Sequence, residues 1–113
     1  MRLPNADQAV IDPQKLHRYL LSPSHPVGRF KARFFTALGY AAEQWHDFES
    51  DLRTQHLTQD AELSDAMPDG ELFTIRAILI GRNSQSAIVL SVWFVPAVGG
   101  VPRFVTAYPG GRQ

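Results

Sequence analysis

A chain of 113 residues, 44% hydrophobic and 19% charged, has the composition of one globular domain, which excludes global disorder and a second core. With no cysteine it can form no disulfide, no thiolate metal site and no cysteine nucleophile. The net charge is zero, but Pro13 to Ala42 holds five cations (Lys15, Arg18, Arg29, Lys31, Arg33) and no acid, Glu43 to Glu71 holds nine acids against Arg53, and Leu72 onward holds Arg76, Arg82, Arg103 and Arg112 with no acid. Such blocks either present opposed cationic and anionic faces or neutralise each other in space. No apolar run approaches the roughly 20 residues a membrane-spanning helix needs. Met1–Gln14 is too polar for a signal peptide, and the lack of disulfides in so small a domain favours a reducing, cytoplasmic setting.

Residues 1–11 read as a flexible or strand-like lead-in, and residues 12–110 as a single domain. Asp12-Pro13 is a helix start, with Asp as cap and Pro in the first turn. Gln14 to Leu21 follows as a short helix whose apolar stripe is Leu16, Tyr19 and Leu20. Ser22-Pro23-Ser24-His25-Pro26-Val27-Gly28 must break it, because each residue before a proline is pushed out of the helical region. Arg29 to Leu38 is a second helix, with Phe30, Phe34 and Leu38 recurring on one face and Gly39 as its stop. Ala42 to about Leu57 is a third, with Trp45, Phe48 and Leu52 apolar and Glu43 and Asp47 suited to the positive end of its dipole.

The period then changes from 3.6 to 2. Pro68-Asp69-Gly70 is a turn, and Glu71 to Ile80 is a strand. Ala87 to Val95 is a second strand, apolar on both faces as a central strand covered by helices would be. Arg103 to Tyr108 is a third, and Ala61 to Met67 a weaker fourth. Helices before strands joined by short turns give an α+β fold: two or three N-terminal helices packed on one face of a three- to four-stranded antiparallel sheet.

The chain has no glycine-rich phosphate loop and no nucleophile elbow. His17, His25, His46 and His56 have no ligand spacing, so no metal and no cofactor is expected. His17 and His46 read as surface residues, and His56 as a residue favoured by the dipole at a helix C-terminus. What remains suits phosphodiester chemistry without a metal. RNA cleavage needs a base for the 2′-hydroxyl, an acid for the leaving oxygen and fixed cations around the phosphate. His25, Arg29 and Lys31 supply those types within seven residues, in a loop that opens a helix whose free N–H groups attract anions and whose Gly28 would let a phosphate approach. The plain alternative makes this stretch a helix connector and Arg29, Lys31 and Arg33 a solvated face.

The run from Lys15 to Phe35 is similar to the pattern K-L-x-x-Y-L-L-N-P-x-H-P-x-G-x-x-K-A-x-F-F of a family of small bacterial domains of unknown function. Val92-Trp93-Phe94 and Pro102 to Pro109 resemble that family's ending, V-W-x…P-R-x-V-T-A-Y-P. Ser22 replaces the usual Asn, and Phe30 stands where a small polar residue is common. More remotely, the helix-then-sheet order resembles barnase-like, colicin-like and RelE-like ribonuclease toxin domains. That resemblance implies a site where helical residues meet polar groups on the sheet, with His25, Lys31, Thr106 and Tyr108 as catalytic groups and Arg29, Arg33, Ser91, Trp93 and Arg103 holding substrate. Ser91 and Trp93 have core readings beside this one, and Tyr108 could be a capping aromatic. Regular alternation puts Arg103 and Thr106 on opposite faces, so they share a site only if the strand bends there or Arg103 reaches around the edge.

The expected function is therefore a metal-independent endoribonuclease toxin acting on RNA and paired with a cognate antitoxin or immunity protein, with no membrane partner. The competing expectation is a non-catalytic antitoxin, immunity or adaptor protein that binds through its acidic helix. Homodimerisation through the last strand or that helix stays open.

Overall fold

The computed structural model describes residues 1–111. Arg112, counted among the C-terminal cations, lies outside the described residues. Asp12 Oδ1 accepts the Gln14 N–H at 2.9 Å with Pro13 at the first helical position, which starts α1 (Pro13–Lys15). A π-helical segment, Leu16–Leu20, continues it and turns Leu16 and Leu20 fully into the core. In α2 (Arg29–Ala37) the buried residues are Ala32 and Phe35, followed by Leu38. Phe30, expected on the core stripe, is instead 62% exposed, because the face that packs is rotated to put Phe35 4.8 Å from Phe48.

A 3-10 turn, Ala42–Gln44, leads into α3 (Trp45–Asp51), and a second π segment, Leu52–His56, extends it. Phe48, Leu52 and Leu57 are buried here. The expectation of His56 as a residue merely suited to a helix end is corrected: its ring has no exposed surface and packs between helix and sheet.

The sheet is an antiparallel meander in the order β1 (Glu62–Met67), β2 (Gly70–Ile80), β3 (Ser86–Pro96), β4 (Arg103–Pro109). The fold is α+β as expected, with three helices on a four-stranded sheet. Phe73, Ile75 and Leu79 of β2, Val89, Trp93 and Val95 of β3, and Phe104 and Ala107 of β4 form the buried face. Leu72, Ile88, Leu90, Val92 and Phe94 on the other face are half-buried and Ile78 and Ile80 exposed, so the helices cover one side of β3 and not both.

In β4, Trp93 pairs with Phe104 but Val92 pairs with Thr106, leaving Val105 as an inserted residue. That bulge resets the alternation: Phe104 and Ala107 both face the core, while Arg103, Thr106 and Tyr108 share the outer face. Lys15 Nζ donates to the carbonyls of Phe104 at 3.1 Å and Val105 at 3.5 Å, tying α1 to the bulge. Residues 1–11 are packed rather than loose: Leu3, Ala9 and Ile11 are buried, and Val10 bridges in parallel to Arg103.

The acids of α3 are matched inside the fold. Asp51 accepts two bonds from Arg82 and one from the Tyr40 hydroxyl at 2.5 Å, Asp47 lies 3.8 Å from Arg82, and Glu49 pairs with Arg53 at 3.1 Å. Burial and the adjacent carboxylate push the Tyr40 phenol well above its ordinary value. Around the β1–β2 hairpin, Glu62, Asp65, Asp69 and Glu71 make no ion pair among the described residues.

Candidate functional site at the β4 edge

His25 sits where two prolines and the buried Gly28 force the chain out of one helix and into the next. Its Nδ1 accepts the backbone N–H groups of Val27 and Gly28, both at 3.0 Å, and its carbonyl accepts the Arg29 N–H at 3.0 Å. His25 thus caps the turn of Pro26, Val27 and Gly28 that leads into α2, whose own N-cap is Gly28. A ring nitrogen that accepts two N–H donors carries no proton, so its partners assign the neutral ring's hydrogen to Nε2. The ring stands edge-on to Tyr19, 4.9 Å between centroids at 87°.

One expectation about the loop is corrected, that for Gly28. His25 Nδ1 takes up the N–H groups of Val27 and Gly28, ahead of the first turn of α2. At Gly28 the space that was to receive a phosphate is filled by the chain itself: a Cβ there would lie 2.0 Å from the Tyr19 carbonyl oxygen, so the missing side chain serves the close approach of the preceding helical segment.

Lys31, half-buried in the first turn of α2, is the centre of the cluster. Its ammonium donates to the Tyr19 hydroxyl at 2.9 Å and to Thr106 Oγ1 at 3.2 Å, and lies 5.3 Å from the Tyr19 ring and 5.9 Å from the Tyr108 ring. No carboxylate pairs with it among the described residues. An ammonium has three donors and two are used here. Held only by neutral oxygens and aromatic faces, it is a cationic pole with a donor to spare, suited to a phosphate or carboxylate oxygen.

Of the residues named from sequence, the fold brings His25, Lys31, Thr106 and Tyr108 to one place at the free edge of the sheet, with Tyr19 between the first two. Arg103 joins their face of β4 through the bulge, exposed to solvent. Arg29 and Arg33 do not converge with them. Each is two residues from Lys31, about 200° around an α-helix, and both line a cavity on the far side of α2.

Ser91 and Trp93 are corrected as substrate-binding groups: the pleat of β3 aims both at the helices, and neither has exposed surface. There the Trp93 Nε1–H donates to Ser91 Oγ at 2.9 Å, and Ser91 Oγ lies 2.8 Å from His56 Nδ1. Burial lowers His56 to about 4, with the nearby Ala77 carbonyl opposing the shift, and its Nε2 has no hydrogen-bond partner of good geometry.

Sequence reasoning missed Tyr19 as a site residue by counting it as apolar stripe. The available signal was its hydroxyl, which on a packed helix face must find a partner. Lys15 was missed as the clamp on β4 because its acceptors are carbonyls about 90 positions away. Among the described residues, no three of His, Asp or Glu gather to hold a metal, and no helix is long and apolar enough to cross a membrane.

The model of a family described as Domain of unknown function (DUF6883) matches residues 2–111. No curated protein matches the chain. Among solved structures, the fold is similar to a chain of a contact-dependent growth inhibition toxin–immunity protein complex from Klebsiella pneumoniae 342. The TM-score is 0.67 at 18% identity, with 96% of this chain and 98% of that one covered.

Proposed function

The chain belongs to the DUF6883 family, and we propose that it is a metal-independent endoribonuclease-type toxin domain, neutralised by a cognate partner protein. The observation that carries this reading is the Lys31 ammonium, left without a carboxylate partner between Tyr19, Thr106 and Tyr108. In it the ammonium binds the scissile phosphate and stabilises charge that develops on its oxygens. Thr106 and the Tyr19 hydroxyl hold the ammonium in place, and the Tyr108 ring offers a stacking face to a base. His25, with Nδ1 locked as an acceptor, has no second proton to give, so its Nε2–H serves as a hydrogen-bond donor to a phosphate oxygen. Solvent takes the 2′-hydroxyl proton as the 2′-oxygen bonds to phosphorus, and returns one to the leaving 5′-oxygen as its bond to phosphorus breaks. RNA carries its own 2′-hydroxyl nucleophile, so the reading asks for no bound ion, and its setting is the cytoplasm. The partner protein is proposed from the likeness to a toxin–immunity complex.

The test is inducible expression of the parent chain beside Lys31→Ala and His25→Ala, following growth and total RNA. The parent arrests growth and degrades RNA, both variants are relieved, and the purified protein cleaves RNA in excess chelator. Harmless expression of the parent with intact RNA overturns the reading.

A second reading, an immunity or adaptor protein, is favoured by the unmatched acids at the β1–β2 hairpin. It places the contact there and not on α3, whose acids are already paired. Under it the parent is harmless and protects cells against a separate toxin.

A further inference from the structure

On the far side of α2 from Lys31 lies a cavity of about 450 Å³. Its floor is apolar, from Pro23 and the buried Ala32. Arg29 and Arg33, one turn apart on the helix, stand over it, and Phe30 forms part of its wall. The Arg29 guanidinium is already set: one nitrogen donates to the Pro26 carbonyl at 2.7 Å, and its Cζ lies 4.5 Å from the centre of the Phe30 ring. Arg33 makes no hydrogen bond or ion pair among the described residues, and no Asp or Glu lines the cavity.

We propose that this cavity is a second binding site, which takes one nucleotide unit with its phosphate between Arg29 and Arg33 and its base against Phe30. Two guanidiniums at this spacing can converge on one phosphate with charge-assisted hydrogen bonds. The apolar floor and the aromatic wall suit a base, whose faces stack and whose edges tolerate many partners. An acidic peptide would satisfy the arginines but would leave Phe30, 62% exposed, without a role. Pro23 belongs to the same loop as His25, so a single-stranded RNA passing over that loop can set one phosphate at Lys31 and another here. The unit can equally be a free mononucleotide. The site stands whether or not the chain cleaves RNA.

The experiment uses the full chain carrying Lys31→Ala, which removes cleavage from the readout. A fluorescein-labelled six-nucleotide RNA is titrated and read by anisotropy, with AMP as competitor and poly-glutamate as a control anion. The oligonucleotide binds, Arg29→Glu/Arg33→Glu weakens it by at least tenfold, and Phe30→Ala weakens it severalfold, with far-UV circular dichroism unchanged. Displacement by millimolar AMP assigns a free mononucleotide to the site; binding that needs the oligomer assigns RNA. Either result supports the nucleotide assignment. Unchanged affinity in both variants overturns it, as does poly-glutamate binding as tightly as RNA with no dependence on Phe30. Retained oligonucleotide binding by a chain whose parent never cuts RNA upholds this site and removes the catalytic reading alone.

Discussion

His25 has two separable duties, and a pair of substitutions divides them. In His25→Ala the N–H groups of Val27 and Gly28 lose their acceptor, and Gly28 is buried, so water replaces the ring poorly. Losing a side-chain cap on backbone N–H groups, as at helix starts, costs about 1 kcal/mol, up to about 2 in folded proteins, and a buried N–H without a partner costs about 1–3 kcal/mol. About 1.5–2 kcal/mol is therefore expected for this partly exposed turn. For a domain near this size each kcal/mol moves Tm by roughly 4–6 °C, so the loss reads as roughly 6–12 °C. His25→Asn keeps a side-chain acceptor at the cap and removes Nε2–H. It should recover most of that stability while remaining as defective in RNA cleavage as the alanine variant. The assay is urea and thermal unfolding by circular dichroism, with RNA cleavage measured on the same preparations. If His25→Ala unfolds with the parent, or His25→Asn unfolds with the alanine variant, the capping argument is refuted. An Asn variant that cleaves like the parent would reduce His25 to a cap.

Lys31→Ala should lower RNA cleavage by about 10²-fold or more, as loss of one preorganised charge donor does in other sites. Its effect on Tm should be small, and a Lys31→Ala protein that cleaves like the parent removes Lys31 from the mechanism. His56 is lowered to about 4 by burial, so the unfolded chain binds the extra proton between about 4 and its ordinary 6.5. Stability is then fully present above pH 6.5 and falls toward pH 4, by an amount on the order of 3 kcal/mol. His56→Gln should flatten that slope in urea midpoints measured across the window, and an unchanged slope would place its origin elsewhere. Gly28→Ala drives a methyl group onto the Tyr19 carbonyl and should cost about 3 kcal/mol, seen as a lower urea midpoint; parental stability would mean that the two helical segments can part. Tyr40→Phe removes the hydroxyl from Asp51 and should cost about 1–2 kcal/mol, with a urea midpoint equal to the parent's showing that Arg82 alone satisfies the carboxylate.

Sequence by itself determined the order of elements and the class of fold. The prolines of the His25 loop, Gly39, and Pro68-Asp69-Gly70 act on the backbone locally, and the switch from a 3.6 to a 2 period needs no knowledge of neighbours. Local grammar also placed His25 and Lys31 in one loop-helix unit. What only the tertiary structure decided is which side chains meet. The Val105 bulge put Arg103 on the face of Thr106 and Tyr108, and strand alternation alone predicts the opposite. The rotation of α2 exposed Phe30 and sent Arg29 and Arg33 away from Lys31. The π segment after α3 brought the buried His56 ring to the Ser91 hydroxyl, which also accepts from Trp93 in the core. Each of these turns on one inserted residue or a fraction of a helical turn. Such shifts are set by packing between segments far apart in the chain, and residue order does not encode them locally.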